Sequence, residues 1–383
     1  MRFPQKLSLQ FSSLTNMSGL YIHIPFCSKK CSYCDFISFG GKIELLPPYL
    51  HALKNEALNF SGENIETVFV GGGTPSLMSP NEICDLFDFL NKNFKIKTDC
   101  EISFESNPQS VTLEKLKALK DSGVNRISVG AQSLSDDTLK SIGRSHTLKE
   151  FETAIENIKK AGFDNFNLDL IFALPGQTLE MWENTLEKAL SYDSTHISCY
   201  SLILDEKTPM GAAYAKGEFS VPDEETERLM YKSVGRVLAP KNIFQYEVSN
   251  YAKKGFECKH NINYWKCREY IGLGCAAHSY YNGARYCNTS RLEEYIKQEN
   301  IVRDKQILTK TDMLEEFFML GLRMKEGISL EEFESRFEQN FFYRYKKQID
   351  ELTKLKLILI ENNRLFLTEK GMDLCDSVVL EFI

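Results

Sequence analysis

Short apolar runs recur through the first half of the chain, at Leu20–Phe26, Thr67–Val70, Cys100–Phe104, Arg126–Val129, Phe166–Ile171 and His196–Ile203. Several are rich in β-branched residues and all are short, which predicts strands rather than helices. Amphipathic stretches lie between them, among them Leu113–Asp121 and Lys149–Ala161, the latter closed by Gly162. Strands alternating with helices build βαβ units around a parallel sheet. Six repeats predict an α/β fold with a partial (β/α)6, TIM-like barrel; a doubly wound open sheet is the alternative that the pattern leaves.

From Leu314 the pattern changes. Ser329-Leu-Glu-Glu332 predicts a capping box opening a short helix, followed by a second helix around Tyr343–Leu355. Leu357–Leu367 reads as a hairpin, and a last helix starts near Thr368. Helix, helix, hairpin, helix is a winged-helix-like plan. Acidic residues outnumber basic ones from Thr311 onward, which argues for a structural or lid-like module and against a reader of nucleic acid. The expected organisation is an extension without fixed structure at 1–17, a barrel at 18–240, a connecting segment at 241–305 and the C-terminal module at 306–383.

Composition changes this picture little. The 383 residues are 43% hydrophobic and 26% charged, with a net charge of −7, which speaks against broad binding to nucleic acid or anionic membrane. No apolar run reaches the roughly eighteen residues of a membrane span. Residues 1–16 lack the apolar core and cleavage site of a secretory signal, and Met17 offers a second start just before the first strand. Eleven cysteines form no small secreted framework, so a reducing cytoplasm is the expected compartment.

Candidate chemistry begins at Cys27-Ser-Lys-Lys-Cys31-Ser-Tyr-Cys34. Three thiols at such tight spacing suit one iron–sulfur cluster. A [4Fe–4S] cube has four irons, and the next cysteine, Cys84, lies fifty residues on. One iron would therefore stay open to a substrate or cofactor. A zinc site with His23 as a further ligand is the competing reading, and the spacing favours the cluster. In parallel barrels polar residues gather at the C-terminal strand ends. Here they are Gly71-Gly72-Gly73-Thr74, Glu105, Gln132 and Asp169, with Arg144 offering a guanidinium fork for a carboxylate. Asp169 stands in an apolar strand and needs donors, either ribose hydroxyls or a loop amide.

Tyr21-Ile-His-Ile-Pro-Phe-Cys27, with Cys31, Cys34 and then Asp35-Phe36, resembles the opening of the radical S-adenosylmethionine proteins. Within them it is similar to the branch holding oxygen-independent coproporphyrinogen III oxidases and heme chaperones. The resemblance spans residues 20 to about 205. It implies a [4Fe–4S] cluster on Cys27, Cys31 and Cys34, whose open iron is chelated by the methionine end of S-adenosylmethionine. One electron then cleaves the sulfonium to methionine and a 5′-deoxyadenosyl radical. It also implies that Tyr21, Gly72, Gly73, Thr74, Glu105, Gln132, Arg144 and Asp169 contact S-adenosylmethionine.

Further on, Cys258-Lys-His260-Asn-Ile-Asn-Tyr264-Trp265 resembles the H-N-x-x-Y-W segment of the heme chaperones, and Tyr270–Ser279 follows it. His260 could ligate heme iron, with Tyr264 and Trp265 stacked on the porphyrin. The alternative is an aromatic cluster that packs the segment on the barrel around a hydrogen-bonded histidine, with His23 or His278 as the iron ligand. The oxidases carry a further cysteine just after the motif, where this chain has Asp35-Phe36, so the resemblance favours a chaperone over an oxidase. The implied partners are heme, a heme-recipient protein such as a membrane-bound respiratory oxidase, and a reductant such as flavodoxin or ferredoxin, with peripheral membrane contact through the recipient.

Overall fold

The computed structural model describes residues 17–383, most of them organised by a twelve-stranded sheet. Its parallel part contains β1 (Met17–Ile24), β2 (Asn64–Gly72), β3 (Lys95–Ser106), β4 (Arg126–Gln132), β5 (Phe166–Phe172) and β6 (His196–Ser201). These six lie side by side in chain order, so the partial barrel holds and the doubly wound sheet does not. Several strands outrun their apolar cores. Residues 64–66 and 95–99 are largely polar, yet Asn64 pairs with Lys95 and Ile65 with Ile96, because ladder pairing needs backbone groups and not apolar side chains. Of the expected N-terminal extension at 1–17, all but Met17 lies outside the described residues.

Strand side chains alternate between two environments. Leu20, Ile22, Val68, Val70, Phe104, Ile127, Val129, Leu168, Leu170 and Ile197 face the helices and are fully buried in one core, each stabilising by about 1.5–3 kcal/mol. The opposite positions are mostly polar, with the aromatic rings of Tyr21 and Phe69 among them, and turn into the barrel. Helix Leu113–Asp121 follows the sequence expectation, and its Thr112 cap accepts from the Lys115 amide. Helix Leu148–Lys160 starts one residue early because Thr147 and Glu150 close a capping box.

The stretch expected as a connecting segment is built into the sheet. Asn250–Ala252 pairs antiparallel with β6, and Tyr270–Leu273 adds a parallel strand at the outer side of β1. Strands His278–Tyr281, Ala284–Asn288 and Val302–Ile307 continue outward, antiparallel. Helix Lys259–Trp265 packs across the N-terminal end of the barrel, where Glu101 of β3 accepts from the amides of Lys259 and His260.

The C-terminal module follows the expected order, with helices Leu330–Phe337, Phe341–Arg344 and Lys346–Lys354 ahead of the hairpin Ile358–Glu361 and Arg364–Leu367. The helix expected around Tyr343–Leu355 is thus two helices that break at Tyr345, and helix Glu369–Asp373 starts after the Thr368 cap. Phe317, Phe318, Phe333, Phe337, Phe341 and Tyr345 form a core of its own. Arg285 pairs with Glu316 and so ties the module to the outer strands.

Candidate functional site

At the end of β1 the chain turns through Pro25 into Phe26–Cys27, which pairs with Phe39–Gly40 and closes a loop over residues 28–38. Ser32 pins this loop: its hydroxyl donates to the Ile142 carbonyl at 2.8 Å, and its carbonyl accepts from the Met210 amide at 2.9 Å. Tyr33 packs against Ile142, Ile171, Leu174 and Met210. Cys27, Cys31 and Cys34 are half-buried and unpaired. The Thr74 hydroxyl points to Cys27 Sγ at 3.6 Å, and Arg144 Nη1 points to Cys31 Sγ at 3.6 Å. Both are donors aimed at sulfurs that a cluster would use as ligands. Burial pushes the Cys34 thiol up, so metal binding there would release a proton. Three thiols on one pinned loop with such donors suit a cluster. The imidazole that zinc would need is committed elsewhere: His23 Nδ1 meets the Tyr21 hydroxyl at 2.8 Å and Nε2 the Ile37 carbonyl at 2.9 Å.

The glycine run at the end of β2 reaches this loop directly. The amides of Gly73 and Thr74 donate to Ile24 and Phe26 at 2.9 and 2.7 Å, and the Gly72 amide donates to Glu105 Oε2 at 3.0 Å. A β-carbon on Gly73 would lie 2.7 Å from the Phe26 carbonyl oxygen. These amides are therefore used within the fold. Carbonyl oxygens remain, and these are what an ammonium group requires.

Gln132 and Arg144 converge on Gly130, and Arg144 also reaches Cys31. A bulge between Gly130 and Gln132, with Gln132 at φ 63°, re-aims the Gln132 side chain. A β-carbon on Gly130 would lie 3.0 Å from Gln132 Nε2 and 3.3 Å from Arg144 Nη2. Arg144 Nη2 donates to the Gly130 carbonyl at 2.7 Å.

The inward-facing residues form rows across the barrel. Tyr21 pairs with Phe69, Glu105 with Ser128, Ser128 with Asn167, and Asp169 with Ser198. They line a cavity of about 180 Å³ together with Arg126, His196, Tyr200 and His260. Burial and then the Asp169 charge push Glu105 up to about 8, and burial also raises Asp169. Asp169 already has donors on both oxygens, Ser128 Oγ and Asn167 Nδ2, each at 2.8 Å. These are barrel side chains, neither the loop amide nor a ligand hydroxyl. Arg126 is 2% exposed, and its Nε has no hydrogen-bond partner among the described residues. Its charge acts on both carboxylates.

Sequence reasoning passed over Arg126, Ser128, Asn167, His196 and Ser198. The signal was present as polar residues at every second position of R-I-S-V-G-A-Q, F-N-L-D-L and H-I-S-C-Y. A strand buried on both faces would read as apolar throughout.

His260 sits at the floor of the cavity, 1% exposed. Nδ1 meets Thr67 Oγ1 at 2.8 Å and Nε2 meets the Tyr264 hydroxyl at 2.8 Å. Burial lowers its pKa to about 3, so the ring is neutral. As placed, neither nitrogen is free to ligate iron, and the ring stacks against Phe69. This is the packing arrangement that the sequence left as the alternative.

Residues 21–189 match the model of the Radical SAM superfamily, and residues 308–374 match the HemN C-terminal domain. The chain is 38% identical to heme chaperone HemW of Lactococcus lactis, over 97% of this chain and 98% of the relative. To heme chaperone HemW of Bacillus subtilis it is 37% identical, over 96% and 99%. Among solved structures, coproporphyrinogen III oxidase (HemN) from Escherichia coli aligns with a TM-score of 0.84 at 22% identity, over 99% of this chain and 93% of that one.

Proposed function

The chain belongs to the HemW family of radical SAM proteins, and from that premise we propose that it is a heme chaperone which binds a [4Fe–4S] cluster, S-adenosylmethionine and heme and passes heme to a recipient protein. The observation that carries this reading is likeness to proteins named heme chaperones through the barrel, the outer strands and the C-terminal module alike. Asp35-Phe36, where the oxidases carry a further cysteine, supports the same choice.

The geometry suits the cofactors. Cys27, Cys31 and Cys34 would hold the cluster, with Thr74 and Arg144 donating to its ligand sulfurs. When bound, the cluster supplies single electrons and one iron open to chelation. Carbonyl oxygens of Gly72 and Gly73 would receive the methionine ammonium group. Arg144, which reaches Cys31, and Gln132 would receive the carboxylate of the methionine end. Glu105, Asp169 and Tyr21 line the cavity toward which the nucleoside would extend. Arg126 is the buried cation near both carboxylates and would help hold one of them ionised.

Iron and sulfide analysis after anaerobic reconstitution tests the cluster. Wild type is expected to hold about four irons per chain, and the Cys27/Cys31/Cys34 triple-alanine variant none. S-adenosylmethionine is expected to perturb the paramagnetic resonance of the reduced cluster. A cluster retained in the triple variant, or zinc bound by iron-replete wild type, would overturn the assignment.

A further inference from the structure

Heme needs an axial ligand, and the chain has six histidines. Four are buried: His23, His146, His196 and His260. His23, His196 and His260 have both ring nitrogens engaged, and His146, whose Nδ1 accepts from Arg144 Nε, keeps its unpartnered Nε2 enclosed in the fold at 2% exposure. His51 is exposed on helix Leu46–Ala57, on the outer side of the barrel. His278 is the sixth. It is exposed, and its ring makes no hydrogen bond to any described residue.

Sheet register fixes where His278 points. Tyr21 pairs with Gly272, and a β-carbon on Gly272 would run into the carbonyl of His278. Residues directly opposite in a sheet share a face. His278 therefore lies on the face of Tyr21, the face turned to the cavity, about 10 Å away across two strand spacings. His23 connects it to the cysteine loop: its ring interacts electrostatically with His278, while its Nε2 holds the Ile37 carbonyl. The loop is apolar there, with Phe36 66% and Ile37 41% exposed. It also carries Lys29 and Lys30, exposed cations of the sign that heme propionates require.

On the heme-binding reading above, we infer that His278, and not the His260 of the H-N-x-x-Y-W segment, is the axial ligand of a heme seated against Phe36 and Ile37 at the barrel mouth. A porphyrin there has an imidazole for its iron, an aromatic and an aliphatic side chain for its face, and open solvent for release to a recipient. Cys287 is the cross-strand neighbour of His278 and the nearest competing donor. Burial and the Asp304 carboxylate push its thiol up, which disfavours the thiolate that would compete for the iron.

The test is hemin titration of the cluster-loaded full chain, read by absorption and paramagnetic resonance. His278→Ala is expected to weaken binding by about ten-fold or more and abolish the wild-type axial signature, with cluster content unchanged. Added imidazole should restore the signature, His278→Met should move it, and Cys287→Ala should leave it as in wild type. A His278→Ala variant with wild-type affinity and spectrum overturns the inference, as does loss of the signature in Cys287→Ala with His278→Ala intact. Wild type that takes up no hemin would instead bring down the heme-binding reading on which the inference stands.

Discussion

The imidazole of His23 occupies the place that a side chain on Gly72 would need. A β-carbon there would lie 2.5 Å from the ring, and Gly72 has a φ of +111°. His23 cannot yield easily, because Tyr21 and the Ile37 carbonyl hold both its nitrogens. Gly72→Ala is therefore expected to lower stability by about 2 kcal/mol or more in urea unfolding. It should also shift the loop that carries the cysteines, with loss of reconstituted iron. Wild-type stability and iron content would contradict this link between glycine run and cluster loop.

Asp169 and Arg144 give the test of the S-adenosylmethionine site. Each is a polar group that the proposed ligand would meet, and losing one charge-assisted partner costs about 1.5–3 kcal/mol, or roughly ten- to a hundred-fold in affinity. Asp169→Ala and Arg144→Ala are expected to weaken calorimetric binding on that scale. Asp169→Ala should leave the cluster intact, since Asp169 lies in the barrel among Ser128 and Asn167. Unchanged affinity in both variants would place the ligand elsewhere.

Glu56 introduces a pH dependence of folding. It accepts from the amide of Gly274 at 2.9 Å, from Asn288 Nδ2 at 2.6 Å and from the Tyr295 hydroxyl, which fixes the turn leading to His278. Burial raises its pKa from 4.5 to about 7. The folded state thus binds this proton more tightly than the unfolded chain. The resulting stability is present below about pH 4.5 and is lost as pH rises through about 7, on the order of 3 kcal/mol in all. Glu56→Gln should remove that slope from thermal unfolding curves, and Glu56→Ala should destabilise at every pH. An unchanged slope in Glu56→Gln would contradict the assignment.

His260 has the opposite sign. Its pKa falls from 6.5 to about 3 on burial, so its contribution is present above about pH 6.5 and is lost as pH falls toward 3. His260→Ala leaves the hydroxyls of Thr67 and Tyr264 without their partner and is expected to cost about 2–4 kcal/mol. The refolded variant should give the wild-type heme spectrum. A changed axial signature at full cluster loading would return His260 to the ligand role.

Much of this was legible in the chain. Apolar runs located all six barrel strands, because one face of each strand buries Val, Ile and Leu against helices. The C-x3-C-x2-C spacing located the thiols, since the pattern lies within one loop. Two things were not legible. The depth of His260 depends on helix Lys259–Trp265 folding under the barrel onto Glu101, which lies more than 150 positions earlier. Alternation within each strand turns Arg126, Ser128 and Asn167 inward, but which of them stand side by side depends on register between strands, which no single segment encodes. In both cases the decisive contact is long-range, and sequence periodicity reports only local preference.

One sample tests the central claim most directly. Anaerobically reconstituted protein, with its cluster content measured, is titrated with heme and then assayed with coproporphyrinogen III, S-adenosylmethionine and a reductant. A heme chaperone takes up heme with a defined axial signature and forms no protoporphyrinogen IX. Sustained conversion of coproporphyrinogen III to protoporphyrinogen IX, with methionine and 5′-deoxyadenosine as co-products, would contradict the chaperone account and establish the oxidase in its place.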